Sequence, residues 1–410
     1  LSLNGTWEAV TAQETADQPP DAGWQPRPVP STQQSDARRG TFWTWYRRQV
    51  EVPKDWQGRR VFLTLGGARY NSRVLLDGKL LGQRLEGWTP FELELPDVQA
   101  GRTYQLAVRC QDWSATFADG YSIPADYQGD ARDVGNGNVV APIGGHFTYY
   151  GIWDDVWLES RPQAYLDEVA IDTSFRRKKL TVSGRLSDSQ AGLTVQAEVL
   201  DGDRALLTVP AAPIAKSAWS LSAPVGDVRW WSPEDPHLYR LRLTLRRGQE
   251  VVDVCEERFG FRELWAEGPD FVLNGVKRHL LATSTWPSSS PQSREEVRAN
   301  LEKIKAGNNV AFRLHTQPWQ KQWIEEADEV GLMIVEEGAL WCDGSGSYGY
   351  NNELFWENTR QHLAGMVRRD RNNPSLVMWS LENEILHCGA ARYRKDTEAK
   401  LAELGRFVKQ

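Results

Sequence analysis

The sequence predicts a multidomain chain of β-sandwich plus α/β class, with two antiparallel sandwiches followed by a region of parallel strands alternating with helices. Three observations carry that prediction. The chain has 410 residues, more than one core normally fills, since domains run to roughly 100–200 residues. From residue 40 to 262 it consists of short β-type runs separated by turn signals. After residue 263 each strand-like run is followed by a helix-period segment.

Between Gly40 and Pro162 the runs are WYRRQVEV, RVFLTL, SRVLLDG, FELEL and YQLAVRC, with turns at Asp77-Gly78 and Pro96-Asp97. That is the grammar of an antiparallel sandwich. Residues 112–148 interrupt it with a long Gly- and Asp-rich stretch that has no periodicity, and a loop of that length inside a compact domain is more often functional than accidental. From 163 to 262 EVAIDTSF, KLTVSGRL, LTVQAEVL, YRLRLTLRR and EVVDVCEERF make a second sandwich of immunoglobulin-like size.

RHLLATST, VAFRLH, LMIVEE and SLVMWSLENE then alternate with four helical segments. In SREEVRANLEKIKAGN, Ser293 and Glu296 form a capping box and Gly307-Asn308 a stop; PWQKQWIEEADEVG ends on Gly331. The third helix is expected around 351–371 and the fourth over ARYRKDTEAKLAELGRFVKQ. Four βα units are half of an eightfold barrel of about 250 residues, and half a barrel exposes two strand edges. Residues 263–410 are therefore expected to be the first half of a (β/α)8 TIM barrel, and the sequence a fragment of a longer enzyme.

A net charge of -7 leaves no large basic surface, so nucleic acid is not an expected partner. No apolar run approaches the ~18–20 residues of a membrane span. Cys110, Cys255, Cys342 and Cys388 are far apart without metal-ligand spacing, so no metal, cofactor or disulfide scaffold is expected. The 19 Trp residues, beside 12 Tyr and 12 Phe, offer flat apolar faces that suit sugar rings and protein cores alike. The compartment is open, with a lean toward the periplasm or secretion on a chain that starts without Met. A homo-oligomer is also open.

Parallel βα arrays place their chemistry where strands end. Glu336-Glu337 closes the third predicted strand and Glu382-Asn383-Glu384 the fourth. By alternation Glu382 and Glu384 share one orientation and Asn383 takes the other, unless the strand breaks first. These carboxylates are either solvated strand ends or members of a site. Glycoside hydrolysis needs two carboxyl groups flanking the scissile bond. A Glu in an aromatic-lined, partly closed cleft would have its ionised form disfavoured, as an acid requires.

Several motifs together resemble glycoside hydrolase family 2, the family of β-galactosidases, β-glucuronidases and β-mannosidases. LNGTW at 3–7 looks like its N-terminal opening and YGIWDDVWLE at 150–159 like the end of its jelly-roll-like sugar-binding domain. WWSPEDPHLYRLRL at 230–243 and RFGFRE at 258–263 resemble the end of its immunoglobulin-like domain, and FVLNGV at 271–276 the start of its barrel. RRDRNNPSLVMWSLENE at 368–384 is similar to its acid/base signature. The resemblance implies an exo-acting, retaining β-glycosidase with a carbohydrate substrate and domains at 1–162, 163–262 and 263–410. It further implies Glu384 as general acid/base, Asn383 as the contact to the sugar 2-hydroxyl, and a nucleophilic Glu on a seventh strand beyond Gln410.

The sequence also departs from the family pattern. Glu382 stands where a small residue is usual, and could raise the acid's pKa or face solvent. The first-strand NRHE appears as Lys277-Arg278-His279-Leu280, and the second-strand RTSHYP as Arg313-Leu314-His315-Thr316-Gln317-Pro318. Arg313 is a candidate to position a carboxylate, with a structural ion pair as the alternative. Glu337 is a candidate to contact a sugar hydroxyl or orient a partner, and His315 to donate to substrate. Trp341, expected in a loop after the third strand, is either a sugar platform or rim packing; Trp379 is expected to pack. The competing functional class is a carbohydrate-binding or scaffold protein with a degenerate barrel.

Overall fold

The computed structural model describes residues 1–12, 17–35, 41–119, 138–188, 192–214, 216–341, 352–387 and 394–409. Cys342 and Cys388, and the middle of the 112–148 stretch, lie outside them. The N-terminal region is built on a six-stranded antiparallel sheet ordered Gln25–Val29, Gly5–Ala12, Trp43–Glu51, Thr103–Gln111, Ser72–Leu76 and Lys79–Arg84. A three-stranded sheet, Val156–Arg161, Arg60–Leu65 and Phe91–Glu94, shares a core with it that includes Trp7, Tyr46, Leu63, Val108 and Leu158.

The second sandwich packs a three-stranded sheet (Leu166–Ser174, Lys179–Leu186, Ala218–Pro224) on a four-stranded one (Arg204–Pro213, Leu193–Asp201, Tyr239–Arg247, Glu250–Phe259). YRLRLTLRR shows why it folds so. Tyr239, Leu241, Leu243 and Leu245 are buried at every second position, each worth about 2 kcal/mol of burial. Arg240 and Arg242 point outward and pair with Glu256 on the neighbouring strand.

A hairpin sheet, Leu264–Glu267, Asp270–Leu273 and Val276–Arg278, leads to a parallel sheet of Ala282–Thr285, Ala311–Leu314, Met333–Trp341 and Leu376–Asn383, in chain order. Four helices follow these strands: α1 (Arg294–Ala306), α2 (Lys321–Val330), α3 (Glu353–Asp370) and α4 (Arg394–Val408). The capping box at Ser293 and Glu296 is present, and Gly307 closes α1. Gly331 closes α2 with φ 74°, where an added Cβ would lie 2.6 Å from the Pro233 carbonyl oxygen. The first parallel strand is shorter than RHLLATST implied, because Arg278 belongs to the preceding hairpin.

The N-terminus of α2 has no side-chain cap from Gln320. Asp154 of the first sandwich stands there instead, accepting from Asp155 N at 2.9 Å and from Lys321 N at 3.4 Å. Burial pushes its carboxyl up to about 7, against the pull of Arg369. The unfolded chain releases that proton near 3.9, so the folded state holds it more tightly. The contribution is complete below about 4 and is lost as pH rises through about 7. Asp154→Asn is expected to flatten the fall in urea midpoint between pH 5 and 8, checked by unfolding both proteins at each pH.

Candidate active site

The site lies near the C-terminal ends of the second and fourth parallel strands and midway along the third, which runs on to Trp341, so Glu336-Glu337 does not close it as the sequence implied. In Ala311–Leu314, Phe312 and Leu314 are buried against the helices, so alternation turns Arg313 to the other face of the sheet. Alternation also separates the two adjacent glutamates. Glu336 points toward α3, where Arg369 Nη2 donates to its Oε1 at 2.8 Å. Glu337 points toward Arg313, whose Nε and Nη2 each donate to it at 2.9 Å, and Ser380 Oγ adds a third bond at 2.7 Å. Glu337 is sealed from solvent whereas the Arg313 side chain is 35% exposed, so the pair is a buried carboxylate held by a cation at the rim.

Arg313 Nη2 also donates to Asn383 Oδ1 at 2.5 Å. That fixes the Asn383 amide and leaves its NH2 as the donor for another acceptor. His315 Nδ1 lies 3.6 Å from Glu337 Oε1 and has no hydrogen-bond partner. Four predicted residues, Arg313, His315, Glu337 and Asn383, are thus brought together. Ser380 was missed; its signal was the in-register position opposite Glu337.

The alternation expected for Glu382 and Glu384 stops at the strand end. The fourth strand closes at Asn383, and Glu384 has φ 58°, a left-handed conformation that L residues with long side chains rarely adopt. Such outliers cluster at functional sites. Glu384 is exposed, so the expected burial in an aromatic cleft is not found in these residues. Glu382 Oε2 accepts from Ile385 N at 2.9 Å and closes the turn after the strand.

Trp341 is corrected in place. It is the last residue of the third strand rather than a loop residue, 7% exposed and packed with Phe147 at 5.8 Å. Its burial favours core packing over an open platform. The indole on the surface is Trp286, edge-on to His315 at 4.7 Å and stacked on His146 at 5.6 Å. His146 belongs to the later part of the 112–148 stretch, which docks on the parallel sheet through Gly144 N to Ala339 O and His146 N to Gln317 Oε1, both 2.9 Å. The length of that loop was legible in the sequence, but its contact residues were not. Trp379 packs against two cores, as expected.

Gly338 permits the register shift between Glu337 and Leu340, since a Cβ there would lie 2.9 Å from Leu381 O. Just beyond it, Ala339 N donates to His362 Nε2 of α3 at 2.9 Å. No helix among the described residues is long and apolar enough to cross a membrane.

Residues 164–262 match the profile of glycosyl hydrolases family 2, and residues 261–408 that of the TIM barrel domain of glycosyl hydrolases family 2. The chain is 25% identical over 398 residues to a putative β-glucuronidase of Formosa agariphila, covering 94% of this chain and 44% of that protein. It is 25% identical over 382 residues to a β-glucuronidase of Paenibacillus borealis, covering 88% of this chain and 62% of the relative. A β-galactosidase of Psychromonas ingrahamii is 26% identical over 366 residues, 83% of this chain and 33% of its own. The fold is that of a β-glucuronidase structure from Faecalibacterium prausnitzii, with TM-score 0.79 and 24% identity over 100% of this chain and 71% of the other. The chain spans about half the length of the curated relatives it matches.

Proposed function

The chain belongs to glycosyl hydrolases family 2, and on that premise we propose that it is part of a retaining exo-β-glycosidase. Glu384 is the general acid/base, protonating the glycosidic oxygen and then activating water. Asn383, its carbonyl oxygen held by Arg313, offers its NH2 to the sugar 2-hydroxyl. Arg313 and Glu337 are positioning residues, and His315 is a donor at the same face. The nucleophile is a second Glu outside residues 1–410, on a later strand of a barrel whose first half is residues 263–410. Residues 1–162 form the jelly-roll-like sugar-binding domain and 163–262 the immunoglobulin-like one.

One observation carries this reading. At the end of the fourth parallel strand, Asn383 is anchored to the Arg313–Glu337 pair while the next residue, Glu384, is turned out of the strand by its positive φ. The names of the relatives, β-glucuronidase and β-galactosidase, support terminal β-linked sugars as substrates. The test follows hydrolysis of 4-nitrophenyl β-glucuronide and β-galactoside by the full natural polypeptide, with proton NMR of the first product. The β-anomer is expected first. An α-anomer would replace retention with inversion, and a folded protein that cleaves no aryl glycoside would leave carbohydrate binding without catalysis.

A further inference from the structure

Arg69 is 4% exposed, and its Nε and Nη1 have no hydrogen-bond partner. Its guanidinium lies 4.0 Å over the Trp88 ring and 5.6 Å from that of Trp153, and among the described residues no carboxylate pairs with it. A buried charge is costly unless it is paired, and cation–π contact of about 2 kcal/mol offsets only part of that cost.

Arg69 lines a cavity of about 40 Å³ between the first sandwich and the loops after the first two parallel strands. A water needs about 10–15 Å³ of such space, so a halide or small oxyanion has room. No Asp or Glu lines it. Four acceptor oxygens of the lining residues are engaged elsewhere. Gln317 Oε1 accepts from His146 N and Gln320 Oε1 from Gln292 N, each at 2.9 Å. Ser289 O accepts from Thr32 Oγ1 at 2.6 Å, and Gln292 O from Gln322 Nε2 at 2.5 Å. The lining also carries donors for an occupant: the guanidinium, the amide nitrogens of Gln317 and Gln320, and serine hydroxyls.

We propose that this cavity is an anion-binding site, with Arg69 as the charge and the two glutamines as neutral donors, taking a small anion of halide, phosphate or carboxylate type. The bound anion supplies the missing countercharge and ties the first sandwich to the loops flanking the candidate active site. Burial holds the Arg69 guanidinium down to about 10.

The test soaks crystals of the full natural polypeptide in sodium bromide and locates bromine by anomalous scattering. A peak within hydrogen-bonding distance of Arg69 is expected. In solution, thermal unfolding in chloride, phosphate or glucuronate is compared with a bulky sulfonate salt at equal ionic strength. The binding anion should raise Tm by ~2 °C, and Arg69→Met should lose that shift. A response to chloride or phosphate assigns the anion to solvent, and one to glucuronate alone assigns it to an acidic sugar. No shift in solution from any of the anions, whether or not bromide is seen at Arg69, overturns the proposal; the wild-type measurements decide even where Arg69→Met does not fold.

Discussion

Glu384→Ala is expected to lower kcat/KM about 1,000-fold on β-glycosides with poor leaving groups, within the range for loss of a general acid, while activated aryl glycosides lose far less. The difference arises because a 4-nitrophenolate leaves without a proton and an alkoxide does not. On the proposed mechanism the same residue activates water in the second step, so activated substrates should accumulate the glycosyl-enzyme, and added azide should restore turnover. Glu382→Gln is the paired control. Its carboxylate is occupied by Ile385 N, so its loss should loosen the turn and change the rate only a few-fold. Equal loss from Glu384→Ala on both substrate classes, with the fold intact by circular dichroism, would remove Glu384 from the acid role.

The sandwiches were legible because their inward residues recur at every second position, as in YRLRLTLRR. Arg204–Pro213 and Ala218–Pro224 were not legible. The first of these carries two prolines and is largely exposed, so it lacks the alternation that reveals a strand. The candidate site was legible in its residue types, but two local events decided its geometry. Alternation parts Glu336 from Glu337, which the sequence shows only as a pair of carboxylates. The φ of Glu384 then ends the alternation that would have placed it beside Glu382.

The stretch RRDRNNP shows a different limit. It was legible as part of a signature, yet its side chains serve three separate contacts. Asn372 bonds Ile171 N and Val169 O of the second sandwich at 3.0 Å each, and Arg371 reaches Glu168 O. Asn373 and Ser375 N hold Asp328 of α2 at 2.5 and 2.9 Å. These partners lie 45 to 203 residues away in the chain, so no local pattern could name them.

The remaining contact in that stretch carries the second large effect. Arg369→Met is expected to destabilise the fold by about 3–5 kcal/mol at neutral pH, the cost of removing one partner from a buried ionic group. Arg369 Nε donates to Asp370 Oδ2 at 2.6 Å and Nη2 to Glu336 Oε1 at 2.8 Å, and Lys321 Nζ donates to Asp370 Oδ1 at 2.9 Å. Both carboxyls are sealed from solvent. Burial, then the charge of Asp370, holds the Glu336 carboxyl well above its usual value. Burial opposes ionisation of Asp370 too, but Arg369 and Lys321 outweigh it and hold that carboxyl below its usual value.

The wild-type gain from Asp370 is present above about 3.9 and is lost as pH falls through its lower folded value. Without Arg369 only Lys321 opposes the burial that raises both acids, so the variant's deficit should be larger at pH 8 than at pH 5. Burial and the charge of Asp370 disfavour ionisation of Glu336, so Glu336→Gln, which keeps an acceptor for Arg369, should cost less than about 1 kcal/mol. Urea unfolding of the three proteins at both pH values checks this, and a Glu336→Gln loss as large as that of Arg369→Met would refute the unequal roles of the two residues. Because Glu336 and Glu337 are consecutive on one strand, the network that anchors the first from the helix side also sets the depth at which the second meets Arg313. Arg369→Met should therefore reduce activity at temperatures well below its own Tm.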